Sequence, residues 1–151
     1  LTTRRYTEAE VTAMEADPSV FTLQVRLSDK FGDLGMIGVV ICRPDKNDAA
    51  AWDIDTWLMS CRVLGRQVEQ AMLGKVVAEA ARRGVKRVIG TYIPTAKNGM
   101  VADHYGKLGF KQAGSTDKGR TVWELSVSGY ATQQLPMRVE DKAGRLPEAA
   151  E

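Results

Sequence analysis

The sequence predicts one α/β domain built on a mixed, mostly antiparallel sheet with a βαβ unit and flanking helices. Three observations carry this. Three segments between Phe21 and Met59 are apolar or alternate apolar with polar at strand length, and short polar connections join them, as in an antiparallel meander. The apolar period then changes to that of a helix, with Val68, Met72, Val76 and Ala80 in register and Ala71 and Val77 beside them. A further apolar run, Val88–Tyr92, follows after one short link, so its strand should lie parallel to the strand before the helix.

Each element follows from local chemistry. Thr7-Glu8-Ala9-Glu10 has capping-box spacing and should start a short helix running to about Glu15, stopped by Asp17-Pro18. Phe21–Leu27 alternates, with Phe21, Leu23, Val25 and Leu27 on one face. Residues 29–35 read as a turn, Met36–Cys42 as an almost wholly apolar strand, and residues 44–50 as a polar loop. In Trp52–Met59, strict alternation places Trp52, Ile54, Thr56 and Leu58 on one face and Asp53, Asp55, Trp57 and Met59 on the other. The long helix should span about Gly65 to Arg83, where two cations and Gly84 suit its C-terminus. After a loop over residues 94–99, a shorter helix over Met100–Leu108 ends at Gly109, and Thr121–Val127 forms the last strand. The expected organisation is a domain over residues 1–128 and an extension, partly loose, over 129–151.

Composition narrows the function. The chain has 151 residues, 44% hydrophobic and 26% charged, enough for one real core and too apolar for general disorder. A net charge of +2 without a basic stripe does not point to nucleic acid. No apolar run is long enough to span a membrane, and Leu1–Arg5 does not resemble a signal peptide. Two cysteines and one histidine without CxxC spacing give no metal framework, so no metal is expected. Reduced thiols in a cytoplasmic protein are the simplest reading.

The sharpest feature is Ser60-Cys61-Arg62-Val63-Leu64-Gly65-Arg66-Gln67, between a strand and the longest helix. Glycine allows a close turn, the free amides of a helix start face whatever lies above them, and Arg62 and Arg66 add positive charge. A pyrophosphate or a phosphodiester suits such a place; a tight turn with solvated arginines is the plainer alternative. Neither a Walker A loop nor a dinucleotide fingerprint is present. Cys61 stands where the helix dipole and Arg62 would stabilise a thiolate able to accept an acyl group, unless it merely fills space. Cys42, inside an apolar strand, is expected to be packing. His104, the sole histidine, has the ordinary pKa for proton transfer near neutrality. Asn98 would cap the second helix or bond a substrate, while Trp57 and Met59 would line an acyl slot or the core.

Arg62-Val63-Leu64-Gly65-Arg66-Gln67 is similar to the [Q/R]xxGx[G/A] motif of Gcn5-related N-acetyltransferases (GNAT), with Gln67 departing from the small last residue. His104-Tyr105-Gly106-Lys107-Leu108-Gly109-Phe110 resembles that family's second landmark, a tyrosine followed by Gly-Phe. The resemblance implies a carrier thioester at the helix start and Tyr105 as general acid near its sulfur. The family's glutamate base has no clear counterpart, Asp53 or Asp55 being the available stand-ins.

A longer resemblance covers nearly the whole chain. Leu1–Tyr6, Asp55–Arg66 and Pro94–Gly99 look like the C-terminal, GNAT-like domain of FkbH-type proteins. It implies an acyl carrier protein as partner, whose phosphopantetheine (or coenzyme A) is the cofactor, and a haloacid-dehalogenase (HAD)-like phosphatase domain whose DxDxT motif this chain lacks. It also implies loading of a glyceryl-type unit for polyketide assembly. Under it, Arg62, Leu64, Gly65, Arg66, Gln67 and Asn98 hold the carrier arm, and Cys61, His104 and Tyr105 do the chemistry. A stand-alone acetyl-coenzyme A-dependent N-acetyltransferase and a non-catalytic carrier-docking domain are the alternatives.

Overall fold

A computed structural model describes residues 7–30, 32–60, 67–95, 102–115 and 118–130. The helix α1 (Glu8–Ala16) is capped by Thr7, whose hydroxyl accepts from the Glu10 amide at 3.2 Å, as the capping-box spacing predicts. Three strands follow: β1 (Phe21–Asp29), β2 (Gly32–Pro44) and β3 (Ala51–Met59). They form the expected antiparallel meander. The ladder extends to the pair Asp29–Gly32, so β2 starts well before the predicted Met36 and the turn is tighter than residues 29–35.

The long helix α2 (Val68–Arg82) starts later than predicted, with Gln67 as its N-cap. Its end matches expectation in detail. The Val85 amide bonds the Ala80 carbonyl at 2.8 Å and the Gly84 amide bonds Ala81 at 3.2 Å. Gly84 sits at φ +76° and Val85 is buried, so this is a Schellman stop in which glycine takes the left-handed position. Then come β4 (Arg87–Tyr92), the four-residue α3 (His104–Lys107), β5 (Lys111–Ser115) and β6 (Thr121–Ser126). Within the described residues, α3 is shorter than the predicted Met100–Leu108 helix. The strand β5 was not predicted: Lys-Gln-Ala-Gly-Ser has no apolar alternation, because it lies at the edge of the described sheet, paired with β6.

The sheet order is β1-β2-β3-β4-β6-β5, antiparallel except for β3 and β4. The parallel register Ala51–Arg87 to Ile54–Gly90 is what the βαβ unit demands. Phe21, Leu23, Val25 and Leu27 pack on the same main core as Val68, Met72, Leu73, Val76, Val77 and Ala80 of α2. Burying that face of α2 contributes on the order of 10 kcal/mol before chain entropy is counted. Gly38 lets the helix approach: a Cβ there would stand 2.8 Å from Met72 Cε. On the other face α1 covers a smaller cluster of Met14, Val20 and Ile41. Tyr130, just past the expected domain boundary, also packs on the main core.

One register shift corrects the predicted faces of β3. Ile41 pairs with Thr56 but Cys42 pairs with Ile54, so Asp55 is an extra residue in a β-bulge. The alternation slips by one there. Trp57 joins Trp52 and Ile54 in the main core, whereas strict alternation set it opposite them, and Leu58 is 56% exposed.

Candidate functional site

The bulge coincides with a parting of strands. The β3–β4 ladder ends at Ile54–Gly90, although β3 runs on to Met59 and β4 to Tyr92. At this wedge the side chains of α3 meet Trp57. The Trp57 and His104 rings lie 4.7 Å apart edge to face, Trp57 and Tyr105 6.4 Å apart, and His104 and Tyr105 5.1 Å apart. Tyr105 is only 1% exposed and lies directly over Gly90: an added Cβ there would be 2.5 Å from its Cε1 and Cζ.

The spacing of Tyr105 and Gly109-Phe110 has a local cause. The Phe110 amide bonds the Tyr105 carbonyl at 3.0 Å and the Gly109 amide bonds Gly106 at 3.1 Å. Gly109 has φ +94°, and the Phe110 ring returns to within 5.0 Å of Tyr105. This is a second Schellman stop with its apolar clasp, and it fixes the tyrosine on a helix of one turn.

Burial sets the electrostatics. It pushes the Tyr105 hydroxyl well above the usual phenol range, so this group stays protonated. It lowers His104 to about 4, with a smaller effect from the Lys107 charge. The imidazole therefore stays neutral well below pH 7, rather than being poised near its midpoint as the sequence suggests. His104 Nε2 is buried and has no hydrogen-bond partner among the described residues.

At the start of α2, Gln67 has φ 63° and ψ 17°, the one non-glycine left-handed residue among those described, and its side chain makes no capping bond. Such a backbone costs a residue with a Cβ roughly 1–2 kcal/mol. Glu69 Oε1 and Gln70 Oε1, in the first turn, are likewise buried without a partner among the described residues. Of the other expected site residues, Cys61, Arg62, Leu64, Gly65, Arg66 and Asn98 lie outside the described residues. Ser60, immediately before Cys61, is tied by its amide to the Ile37 carbonyl at 2.8 Å.

The stand-in carboxylates differ. Asp53 is half-buried; Asp55 is buried at the bulge, accepts from the Thr56 hydroxyl at 3.3 Å, and has Arg43 Nε at 3.9 Å. Cys42 is fully buried and its thiol is pushed up by burial, as packing requires. Among the described residues no His, Cys, Asp and Glu side chains group to hold a metal ion, and no helix is long and apolar enough to cross a membrane. A cavity of about 260 Å³ beneath α1, lined by Glu10, Asp17 and Arg43 among others, shares no residue with the wedge.

Sequence reasoning missed Gly90, Glu69 and Gln70. A lone glycine within the apolar run Arg87–Tyr92 was the available signal for the first, since it marks a close approach.

No protein-family model matches the chain, and no curated protein matches it. Solved structures do. The ribosomal-protein-S18-alanine N-acetyltransferase from Escherichia coli aligns over 87% of this chain and 84% of its own, with TM-score 0.59 and 16% identity. The GNAT domain of S. lividans PAT aligns over 81% and 70%, with TM-score 0.61 and 21% identity. An aminoglycoside 6'-N-acetyltransferase complexed with coenzyme A aligns over 81% and 82%, with TM-score 0.59 and 14% identity. The fold of this chain is that of the GNAT acetyltransferases.

Proposed function

We propose that this chain is an acyltransferase domain that takes its acyl group as a thioester on the phosphopantetheine arm of an acyl carrier protein. The observation that carries the reading is the wedge where the β3–β4 ladder stops at Ile54–Gly90, walled by Trp57, His104 and Tyr105, in a GNAT fold. A thin thioester arm entering there would bring its sulfur beside the tyrosine. Arg62, Leu64, Gly65, Arg66, Gln67 and Asn98 are the residues assigned to hold the arm.

Two features support a carrier phosphodiester over free coenzyme A. Gln67 stands where the family motif has a small residue, and Glu69 already sets a carboxylate on the positive end of α2. The multiple negative charges of coenzyme A would meet that carboxylate; a single phosphodiester meets less repulsion.

In the proposed reaction the Cys61 thiolate attacks the acyl carbonyl, the carbon–sulfur bond breaks and the first carrier leaves as a thiolate; a second carrier thiol then takes the acyl group, its proton passing to the first carrier's thiolate and Cys61 returning to thiolate. Tyr105, held protonated by burial, hydrogen-bonds the departing sulfur rather than giving up its proton outright. The acyl unit is of glyceryl type, the setting is cytoplasmic polyketide assembly, and an HAD-like phosphatase domain supplies the acyl donor. These finer assignments rest on the FkbH-type resemblance.

A second reading is favoured by the neighbour that holds coenzyme A: acetyl transfer from acetyl-coenzyme A to an amine. Intact-protein mass spectrometry separates the two. The carrier reading expects acyl loss from an acyl-carrier protein and a transient adduct on residue 61, absent in Cys61→Ser. Acetylation of amines from acetyl-coenzyme A, with carriers untouched, would establish the second reading instead.

A further inference from the structure

We propose that the tip of the β5–β6 hairpin, with Lys118 and Arg120, is the surface on which the carrier protein docks, through an acidic face of its own. The inference rests on the acyl-thioester reading above and names where the body of the carrier sits. The arm is covalently tied to that body, so the body must rest at the mouth through which the arm enters. Topology fixes that mouth. The parallel pair β3 and β4 parts beyond Ile54–Gly90, so it opens at the C-terminal ends of both strands, the end of the sheet from which the chain passes to α2.

The hairpin tip borders the same end. Thr121, the first residue of β6, pairs with Tyr92, the last of β4. Gly119 has φ +79°, and a Cβ added to it would stand 3.3 Å from Pro94 Cγ, just past β4. That contact sets Lys118 and Arg120, on either side of the glycine, beside the mouth. Both are exposed, and neither forms an ion pair with a described residue. Lys107 on α3 is a further exposed cation, partly offset by Asp103 at 3.9 Å. Charge is uneven along the chain. Residues 8–17 hold Glu8, Glu10, Glu15 and Asp17 with no Lys or Arg, whereas 102–120 hold Lys107, Lys111, Lys118 and Arg120 against Asp103 and Asp117. The acidic stretch is α1 and its C-cap, on the sheet face away from α2. A field of this sign draws an acidic surface to the mouth and repels it from α1, which turns the carrier with its arm towards the wedge.

The test compares an acyl carrier protein bearing an S-acetyl-phosphopantetheine arm with free S-acetyl-phosphopantetheine. Reversing both charges, Lys118→Glu with Arg120→Glu, should weaken carrier binding roughly tenfold at low salt, mainly through a slower on-rate in surface plasmon resonance, and the effect should fade as salt is raised. Calorimetry with the free arm should change by less than about twofold, because the arm carries no acidic protein surface. Lys118→Arg with Arg120→Lys should bind the carrier as the wild type does. Lys46→Glu, in the exposed link at the other end of β3, should alter carrier affinity by less than about twofold. Unchanged carrier affinity in the double reversal, or equal weakening of carrier and free arm, would overturn the inference while leaving the thioester reading standing. So would a free arm that binds the wild type when the carrier does not. Failure of both carrier and free arm to bind would overturn the thioester reading and the inference with it.

Discussion

Replacing Gly90 with alanine probes the packing that builds the wedge. The new Cβ would lie 2.5 Å from Tyr105 Cε1 and Cζ and 2.8 Å from Cδ1, where ordinary contact begins near 3.4 Å. The ring or the strand must therefore move by roughly 1 Å. The ring has little room, with Phe110 at 5.0 Å, His104 at 5.1 Å and Trp57 at 6.4 Å. Overpacking of this kind costs about 1–3 kcal/mol. Gly90 is not in a positive-φ conformation, so alanine also gains about 0.4–1 kcal/mol through the unfolded chain. The net expectation is a loss of about 1–2 kcal/mol in urea unfolding, or a drop of roughly 3–8 °C in Tm. Gly114→Ala, with nothing within 4 Å of its Cβ, is the control and should be neutral or slightly stabilising. In a Tyr105→Ala background most of the Gly90→Ala cost should vanish, because the clashing ring is gone. A Gly90→Ala protein within 0.5 kcal/mol of wild type, or one with the same cost in both backgrounds, would refute the packing described.

Other substitutions test the start of α2 and the buried histidine. Gln67→Gly removes a left-handed strain of roughly 1–2 kcal/mol and adds glycine entropy of about 0.5–1 kcal/mol, so urea unfolding should show a gain of up to about 1.5 kcal/mol. Glu69→Gln should tighten coenzyme A binding about two- to fivefold at low salt, an effect that calorimetry at higher salt should erase. His104 is lowered from 6.5 to about 4, so between these values the unfolded chain holds more protons than the folded one. The stability that depends on a neutral ring, on the order of 3 kcal/mol, is complete above pH 6.5 and is lost as pH falls through 4. The stability of wild type relative to His104→Phe should fall as pH drops through that window in acid unfolding curves.

Most of the architecture was legible because it is local. The Thr7 cap, the period of β1, the Schellman stop at Gly84 and the strand–helix–strand order each write a signal within a few residues. What escaped depends on neighbours. A bulge arises between two strands, so the Asp55 insertion and the reversal of Trp57 are invisible to a period-two count. Lys111–Ser115 becomes a strand only because β6 offers an edge. For the site, the Tyr105 to Phe110 spacing was readable because it is a cap as well as a landmark. That Tyr105 rests on Gly90 depends on how α3 packs against β4, and that His104 is neutral follows from burial. Neither is written in spacing.

The central claim is that a pantetheine thioester arm lies where β3 and β4 part. Hydrogen–deuterium exchange with and without an acyl-phosphopantetheinyl carrier protein tests it directly. The expected result is slowed exchange in peptides covering residues 55–60, 90–93 and 104–108, with β1 and β5 unchanged. Protection confined to α1 and the sheet face beneath it, or no protection at saturating carrier, would contradict it.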